Sequence, residues 1–163
     1  MGITLTPIST DDRGAVVDIF NHYVDNSFAA YPETHLPYEA FDKLLELSRG
    51  YPTVAARDEH GALLGFGMLR PYSPIPAFAH TAEVSYFVHP DHCGHGVGTA
   101  MLGYLVKQAR AQGLTSVLAG ISSRNEPSLA FHRKQGFVEA GRLRDIGRKR
   151  GELFDVVWMQ KSV

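Results

Sequence analysis

The 163-residue sequence is poor in several things at once: it has one cysteine, one tryptophan, almost no net charge and no long apolar run. With Cys93 alone no intramolecular disulfide can form, which points to a reducing compartment. Sixteen Lys and Arg against 17 Asp and Glu leave a net charge of −1, so a nucleic-acid partner, which calls for a basic face, is not expected. No stretch approaches the roughly 20 apolar residues that span a bilayer. The opening Met1-Gly2-Ile3-Thr4-Leu5-Thr6-Pro7 also has neither the basic nor the apolar region of a signal peptide. No membrane partner is expected, and the expected location is cytoplasmic. No repeat or low-complexity tract divides the chain, and a chain near this length buries roughly 70% of its unfolded surface. One domain over 1–163 is therefore expected, with a core that needs neither disulfides nor structural zinc.

What is present is a succession of short periodic segments. Residues 3–8 alternate apolar and polar and predict a strand, stopped by Ser9-Thr10-Asp11-Asp12. Ala15, Val16, Ile19, Phe20, Tyr23 and Val24 recur at helical spacing and predict a helix over 11–26. A second helix is predicted over 37–49, with Tyr38, Phe41, Leu44 and Leu45 inward. Runs 53–57 and 62–70 flank the turn-forming Asp58-Glu59-His60-Gly61 and predict a hairpin. After a proline-rich loop come a strand over 81–88, a helix over 99–112, a strand over 117–121 and a helix over 127–135. Strands near 137–146 and 153–160 follow, parted by Gly147-Arg148-Lys149-Arg150-Gly151. The order βαα-βββ-αβ-α-ββ mixes hairpins with strand–helix–strand units. It predicts an α/β (α+β) chain with a mixed sheet.

The most informative segment joins the strand ending at Val88 to the helix near Thr99 through a loop containing Gly94, Gly96 and Gly98. Glycines let successive N–H groups converge, and the unpaired first-turn amides at the positive end of a helix favour a phosphate. A tight turn that simply needs glycine would read the same way. The spacing excludes two familiar phosphate loops. Thr99 stands where a Rossmann fingerprint needs its third glycine, and no Gly-Lys-Ser/Thr ending completes a Walker loop. Further along, Asn125, Ser128 and His132 fall at i, i+3 and i+7 on one helical face.

Cys93-Gly94-His95-Gly96-Val97-Gly98 resembles the acetyl-CoA-binding motif Arg/Gln-x-x-Gly-x-Gly/Ala of the GNAT acetyltransferases, with Cys93 in place of the usual Arg or Gln. The likeness extends over nearly the whole chain. It is strongest to the phosphinothricin and methionine sulfoximine acetyltransferase group, through Arg70-Pro71, 81–88, 123–137 and 155–160. The resemblance implies a GNAT fold: a mostly antiparallel central sheet with one splayed parallel strand pair, flanked by about four helices. It implies acetyl-CoA as acetyl donor and transfer to an amine by direct attack on the thioester. The residues expected around the donor are Cys93 to Thr99 (Cys93, Gly94, His95, Gly96, Val97, Gly98 and Thr99) at the pyrophosphate. Backbone groups of Tyr86, Phe87 and Val88 are expected along the pantetheine arm, with Asn125 on its amide and Ser128 beside it. His132 stands where many relatives place a tyrosine near the sulfur.

Attack on a thioester needs a neutral amine, so a base must take its proton. Glu83, at the start of the strand before the loop, is the expected base, directly or through a water, and His132 the expected relay or proton donor to sulfur. An amino-acid-like acceptor such as phosphinothricin, methionine sulfoximine or methionine sulfone also carries a carboxylate. Arg70 can hold a carboxylate bidentately, with Tyr72, Phe78, Phe28 and Tyr31 as apolar walls. Alternatives are a protein N-terminal or aminoglycoside acetyltransferase, or a non-catalytic acetyl-CoA-binding module. His89, His92, Cys93 and His95 do not match zinc-ligand spacings, and no metal is expected. The cluster Arg142, Arg144, Arg148, Lys149 and Arg150 reads as a solvated hairpin face. A homodimer is expected, with Phe154, Val156 and Trp158 as core or interface residues.

Overall fold

A computed structural model describes residues 2–163. Its elements are β1 (Thr4–Thr6), α1 (Arg13–Asn26), α2 (Ala40–Leu47), β2 (Thr53–Arg57), β3 (Leu63–Pro71), β4 (Thr81–Val88), α3 (Val97–Ala111), β5 (Ser116–Ser122), α4 (Glu126–Lys134), β6 (Val138–Lys149) and β7 (Glu152–Ser162). The strands form one sheet in the order β1-β2-β3-β4-β5-β7-β6. Every neighbouring pair is antiparallel except β4 and β5. Parallel strands need a crossover, which α3 supplies. The mixed sheet and four helices expected from the sequence are what the chain forms.

The decisive irregularity lies between β4 and β5. They pair only at Thr81–Ser116, Ala82–Val117 and Glu83–Leu118. Beyond Glu83 the strands diverge, β4 staying on β3 and β5 on β7. The inner edge of Val84 to Val88 therefore has no strand partner, and its backbone groups are open to a ligand.

The alternation of β4 sorts its side chains to two sides. Val84, Tyr86 and Val88 join the larger core, under Met101, Leu102 and Leu105 of α3 and Leu129 of α4. Phe87 packs with Phe66, Met68 and the α1 residues Val16, Val17 and Ile19 on the opposite side, where Phe41 of α2 closes the smaller core. At roughly 25 cal/mol per Å² of apolar surface, these two cores supply the main drive to fold.

Element boundaries moved where side chains supplied an alternative. β1 ends at Thr6, because Pro7 has no N–H for a ladder and the Ile8 N–H turns to Thr53 Oγ1 at 3.1 Å. α2 begins at Ala40, so Tyr38 lies before it, half-exposed, and donates its hydroxyl to Asp18 at 2.8 Å instead of facing the core. α3 begins two residues earlier than the periodicity suggests, with Gly96 as its N-cap.

The largest correction concerns 147–151. β6 runs through Lys149, and only Arg150 and Gly151, both with positive φ (52° and 77°), make the turn to β7. That is the two-residue geometry whose twist suits a hairpin. A bulge between Leu143 and Gly147 lets the strand absorb the intervening residues. There the Asp145 N–H bonds Asp155 Oδ1 at 2.7 Å. Gly147 is required sterically: a Cβ there would stand 2.1 Å from the Phe154 ring.

Candidate active site

The loop after β4 has the form an anion site needs. Gly94 and Gly96 have φ of 79° and 84°, and a Cβ at either would meet open space. Glycine is thus required by backbone conformation and not by crowding. The first helical bond of α3 runs from the Ala100 N–H to Gly96 O at 3.0 Å. The amides before Ala100 have no carbonyl within the helix to reach, and they start a 15-residue helix whose positive end faces the loop. Val97 is buried and anchors the helix, so it can serve a ligand only through its backbone. Thr99 Oγ1 takes a bond from Gln135 Nε2 at 3.1 Å, tying α3 to the end of α4. Cys93 lies at the cavity rim with Sγ 3.5 Å from the Tyr23 hydroxyl, which also donates to Val88 O.

A cavity of about 690 Å³ begins at this loop and fills the gap between the diverging strands. Its lining includes Ser85 to Val88 of β4, Ala119 to Ser122 of β5, Asn125, Ser128 and His132, and Ser27, Ala29 and Tyr31 after α1. Of the residues expected at the donor, Tyr86, Phe87, Val88, Cys93, Gly94, Gly96, Gly98, Thr99, Asn125 and Ser128 all line it, whereas the side chain of His95 lies outside.

On the α3/α4 side, Asn125 caps α4, its side chain accepting from the Ser128 N–H at 3.3 Å. His132 is 4% exposed and keeps no free ring nitrogen. Nδ1 lies 2.6 Å from Ser128 O, a carbonyl that can only accept, so Nδ1 carries the hydrogen. Nε2 must then accept the hydrogen bond from the Tyr86 hydroxyl. Burial pushes the His132 pKa below its ordinary value, with the bond to Ser128 partly opposing, and burial pushes the Tyr86 phenol up. The pair is therefore neutral imidazole and neutral phenol. To His132, which the sequence suggests as relay or proton donor near the sulfur, the structure adds Tyr86 Oη as its direct partner.

On the α1 side, Arg70 stands directly across the ladder from Glu83. Its Nη2 lies 2.8 Å from Glu83 Oε2 and its Nη1 donates to Ser85 Oγ. The carboxylate it grips is thus the chain's own, a consequence of the β3–β4 register, and neither Arg70 nor Glu83 lines the cavity. Ser85, two residues along the same face of β4, does. It links the pair to the cavity. Among the expected apolar walls only Tyr31 lines it. Phe28 supports from behind, edge-on to Phe154 and under Arg124. Tyr72 sits on the exposed proline-rich loop against Phe78, away from the cavity.

The basic cluster is not a solvated face throughout. Arg142 and Arg144 converge on Asp155 at 2.7 and 3.8 Å. Arg150 bonds the carbonyls of Asp25 and Val24 at 2.6 and 3.0 Å, and Lys149 is buried. Phe154 is buried, whereas Trp158 is half-buried over Gly120 and joins neither core. Among the described residues no group of three or more His, Cys, Asp or Glu is placed to hold a metal ion. No helix there is long and apolar enough to cross a membrane.

Residues 16–137 match the acetyltransferase (GNAT) family model. The chain belongs to the GNAT acetyltransferase family. It is 32% identical to the L-methionine sulfoximine/L-methionine sulfone acetyltransferase of Pseudomonas aeruginosa, over 100% of this chain and 96% of that one. The solved phosphinothricin acetyltransferase of Sinorhizobium meliloti, in complex with acetyl-CoA, superposes with a TM-score of 0.93 at 30% identity, covering 100% of this chain and 89% of the other. A ribosomal-protein-alanine N-acetyltransferase from Brucella melitensis superposes with a TM-score of 0.91 at 33% identity, covering 98% and 99%. The protein is an acetyl-CoA-dependent N-acetyltransferase.

The site of this chain fits that donor: a glycine loop at a helix N-terminus, a form suited to an anion, opens onto a gap lined by unpaired strand edge. Two residues at the site escaped the sequence reading. Tyr23 belongs to the helical stripe and reads as core, although its hydroxyl anchors the end of β4. Ser85 lies in the β4 alternation, and nothing in its spacing distinguishes it from any polar strand residue.

Proposed function

We propose that the acceptor is a small amino-acid-like amine of the phosphinothricin, methionine sulfoximine or methionine sulfone type, entering from the α1 side of the sheet. The observation that carries this reading is the continuity of one cavity from the glycine loop, through the gap between β4 and β5, to Ser85 and Tyr31 on the other side. Two relatives whose names specify such acceptors, aligned over essentially the full chain, support it.

Acetyl-CoA, when bound, supplies an activated acetyl thioester. Backbone amides at Gly94 to Thr99 hold its pyrophosphate, and the open edge of Val84 to Val88 orients its arm. Glu83 receives the amine's proton through one water along Ser85, using Oε1, the oxygen that Arg70 leaves free. Tyr86 Oη would serve the departing sulfur: at rest it donates to His132 Nε2, and protonating the thiolate means turning that hydrogen from His132 to sulfur, the phenolate then regaining a proton from solvent. Arg70 acts from behind the cavity wall, keeping Glu83 and Ser85 aligned.

The likeness to the Brucella enzyme favours a second reading, acetylation of a protein N-terminus. An acetyl-CoA turnover assay separates the two. Phosphinothricin, methionine sulfoximine and methionine sulfone are expected to be turned over at least about a hundredfold faster, by kcat/KM, than peptides, polyamines and aminoglycosides. Faster turnover of a peptide with a free N-terminus would instead select the second reading.

The reading includes a homodimer. β6 is a sheet edge carrying Val138, Leu143 and Ile146 at 66%, 44% and 57% exposure, an apolar stripe that pairing of two copies would cover. Sedimentation is expected to give twice the 17.9 kDa chain mass, and Ile146→Glu to shift it toward monomer. A wild-type monomer at assay concentrations would remove this part of the reading.

A further inference from the structure

We propose that Lys149 is a positioning residue for the acceptor: its ammonium clamps the segment after α1 so that Ser27, Ala29 and Tyr31 form the acceptor-side wall of the cavity. The proposal rests on the reading that the acceptor enters from this side.

Lys149 is 1% exposed, and its Nζ donates to Val24 O at 2.8 Å, Ser27 O at 2.6 Å and Ala30 O at 2.7 Å. An ammonium has three hydrogens, so three carbonyls saturate it. Among the described residues no carboxylate lies within ion-pairing distance of it. Burying a charge this way is costly unless every hydrogen is matched. The matched geometry replaces the ladder that residues 27–30 lack, since they belong to no helix or strand. Val24 O lies in the last turn of α1, where carbonyls point outward and a cation is favoured.

Other contacts from the same hairpin end act on the same segment. Arg150 takes Asp25 O and Val24 O, and the Arg150 N–H bonds Glu33. Tyr31 stacks on Phe154 with centroids 5.3 Å apart, and Phe154 fits there only because residue 147 is glycine. The hairpin end is thus a template. It holds one carbonyl of the last turn of α1 and two of the irregular segment on Lys149, and that segment lines the cavity through Ser27, Ala29 and Tyr31. None of these side chains touches the glycine loop. The link to it runs through Tyr23, which Ser27 bonds only at its carbonyl and which α1 and the bond to Val88 O hold independently, so a loosened clamp should move acceptor binding far more than donor binding.

Steady-state kinetics and amide hydrogen exchange on the full chain carrying Lys149→Met or Lys149→Gln test this. Met keeps the shape and no donor; Gln keeps two donors. Acceptor KM is expected to rise on the order of tenfold in Lys149→Met and less in Lys149→Gln, with KM for acetyl-CoA within about twofold of wild type in both. Exchange at residues 27–31 is expected to quicken in the same order. If Lys149→Met does not fold, Lys149→Gln is judged alone by the same criteria. An unmoved acceptor KM, parallel rises in both KM values, or failure of both variants to fold overturns the clamp. A wild-type protein that acetylates no amino-acid-like acceptor overturns the functional reading instead, an outcome the wild-type assay alone distinguishes.

Discussion

Glu83→Gln is expected to lower kcat by roughly 10²- to 10⁴-fold at neutral pH, the usual worth of a positioned base. The substitution keeps the volume and leaves an amide oxygen to accept from Arg70, so the Arg70–Ser85 bond and the β3–β4 register should survive. KM for acetyl-CoA should stay near wild type, because the glycine loop lies at the other end of β4. The pH profile carries the sharper test. Without a base the variant depends on amine that is already neutral in solution, so its rate should rise tenfold per pH unit up to the acceptor's own pKa. The deficit against wild type should shrink in step. A variant with wild-type kcat and a wild-type profile would remove Glu83 from the mechanism, and the proton would have to leave by another route.

The second large effect is expected at the loop. Gly96→Asp should weaken acetyl-CoA binding by about a hundredfold or more, measured by calorimetry or as KM. Two costs combine. A φ of 84° disfavours any side chain, by roughly 1–2 kcal/mol for most L-residues in the left-handed region. A carboxylate at the N-cap of α3 also opposes the pyrophosphate that the helix dipole and free amides would otherwise attract. Gly96→Asn separates the two, since Asn has nearly the same shape, tolerates positive φ and carries no charge. It should bind at least about tenfold more tightly than Gly96→Asp. Equal affinities would mean that conformation alone matters there, and wild-type affinity in Gly96→Asp would place the pyrophosphate elsewhere.

Cys93 bears on the same loop. Where the family motif usually has Arg or Gln, this chain has a thiol 3.5 Å from Tyr23 Oη. The side chain at this position therefore braces the loop against α1, and on the proposed reading the pyrophosphate falls to backbone amides, which do not depend on residue type.

Much of the fold was legible because its signals are local. The helical stripe of α1, the alternation of β4 and the Gly-rich approach to α3 are each set by neighbours within a few residues, and each formed, α3 starting two residues early. The boundaries that moved did so where a distant partner intervened, as when Thr53 captured the Ile8 N–H or Asp18 the Tyr38 hydroxyl. At the site, residues gathered by the loop and by α4 were found together from spacing and resemblance. Arg70 was recognised as a carboxylate binder, but its carboxylate turned out to be Glu83's, because cross-strand register is a relation between two segments that neither encodes alone.

Sequence by itself determined the order and type of the elements, the glycine-rich loop and the family, because periodicity, glycine placement and motif spacing are properties of contiguous residues. Tertiary structure alone decided which side chains line the cavity, Tyr86 among them and Glu83 not. Tyr86 and Glu83 lie three positions apart on one strand, so its alternation sends their side chains to opposite sides of the sheet. Lys149 looked like one charge in a basic run. It became the clamp on residues 24–30 only when the bulge in β6 carried it across more than a hundred residues of chain to three waiting carbonyls.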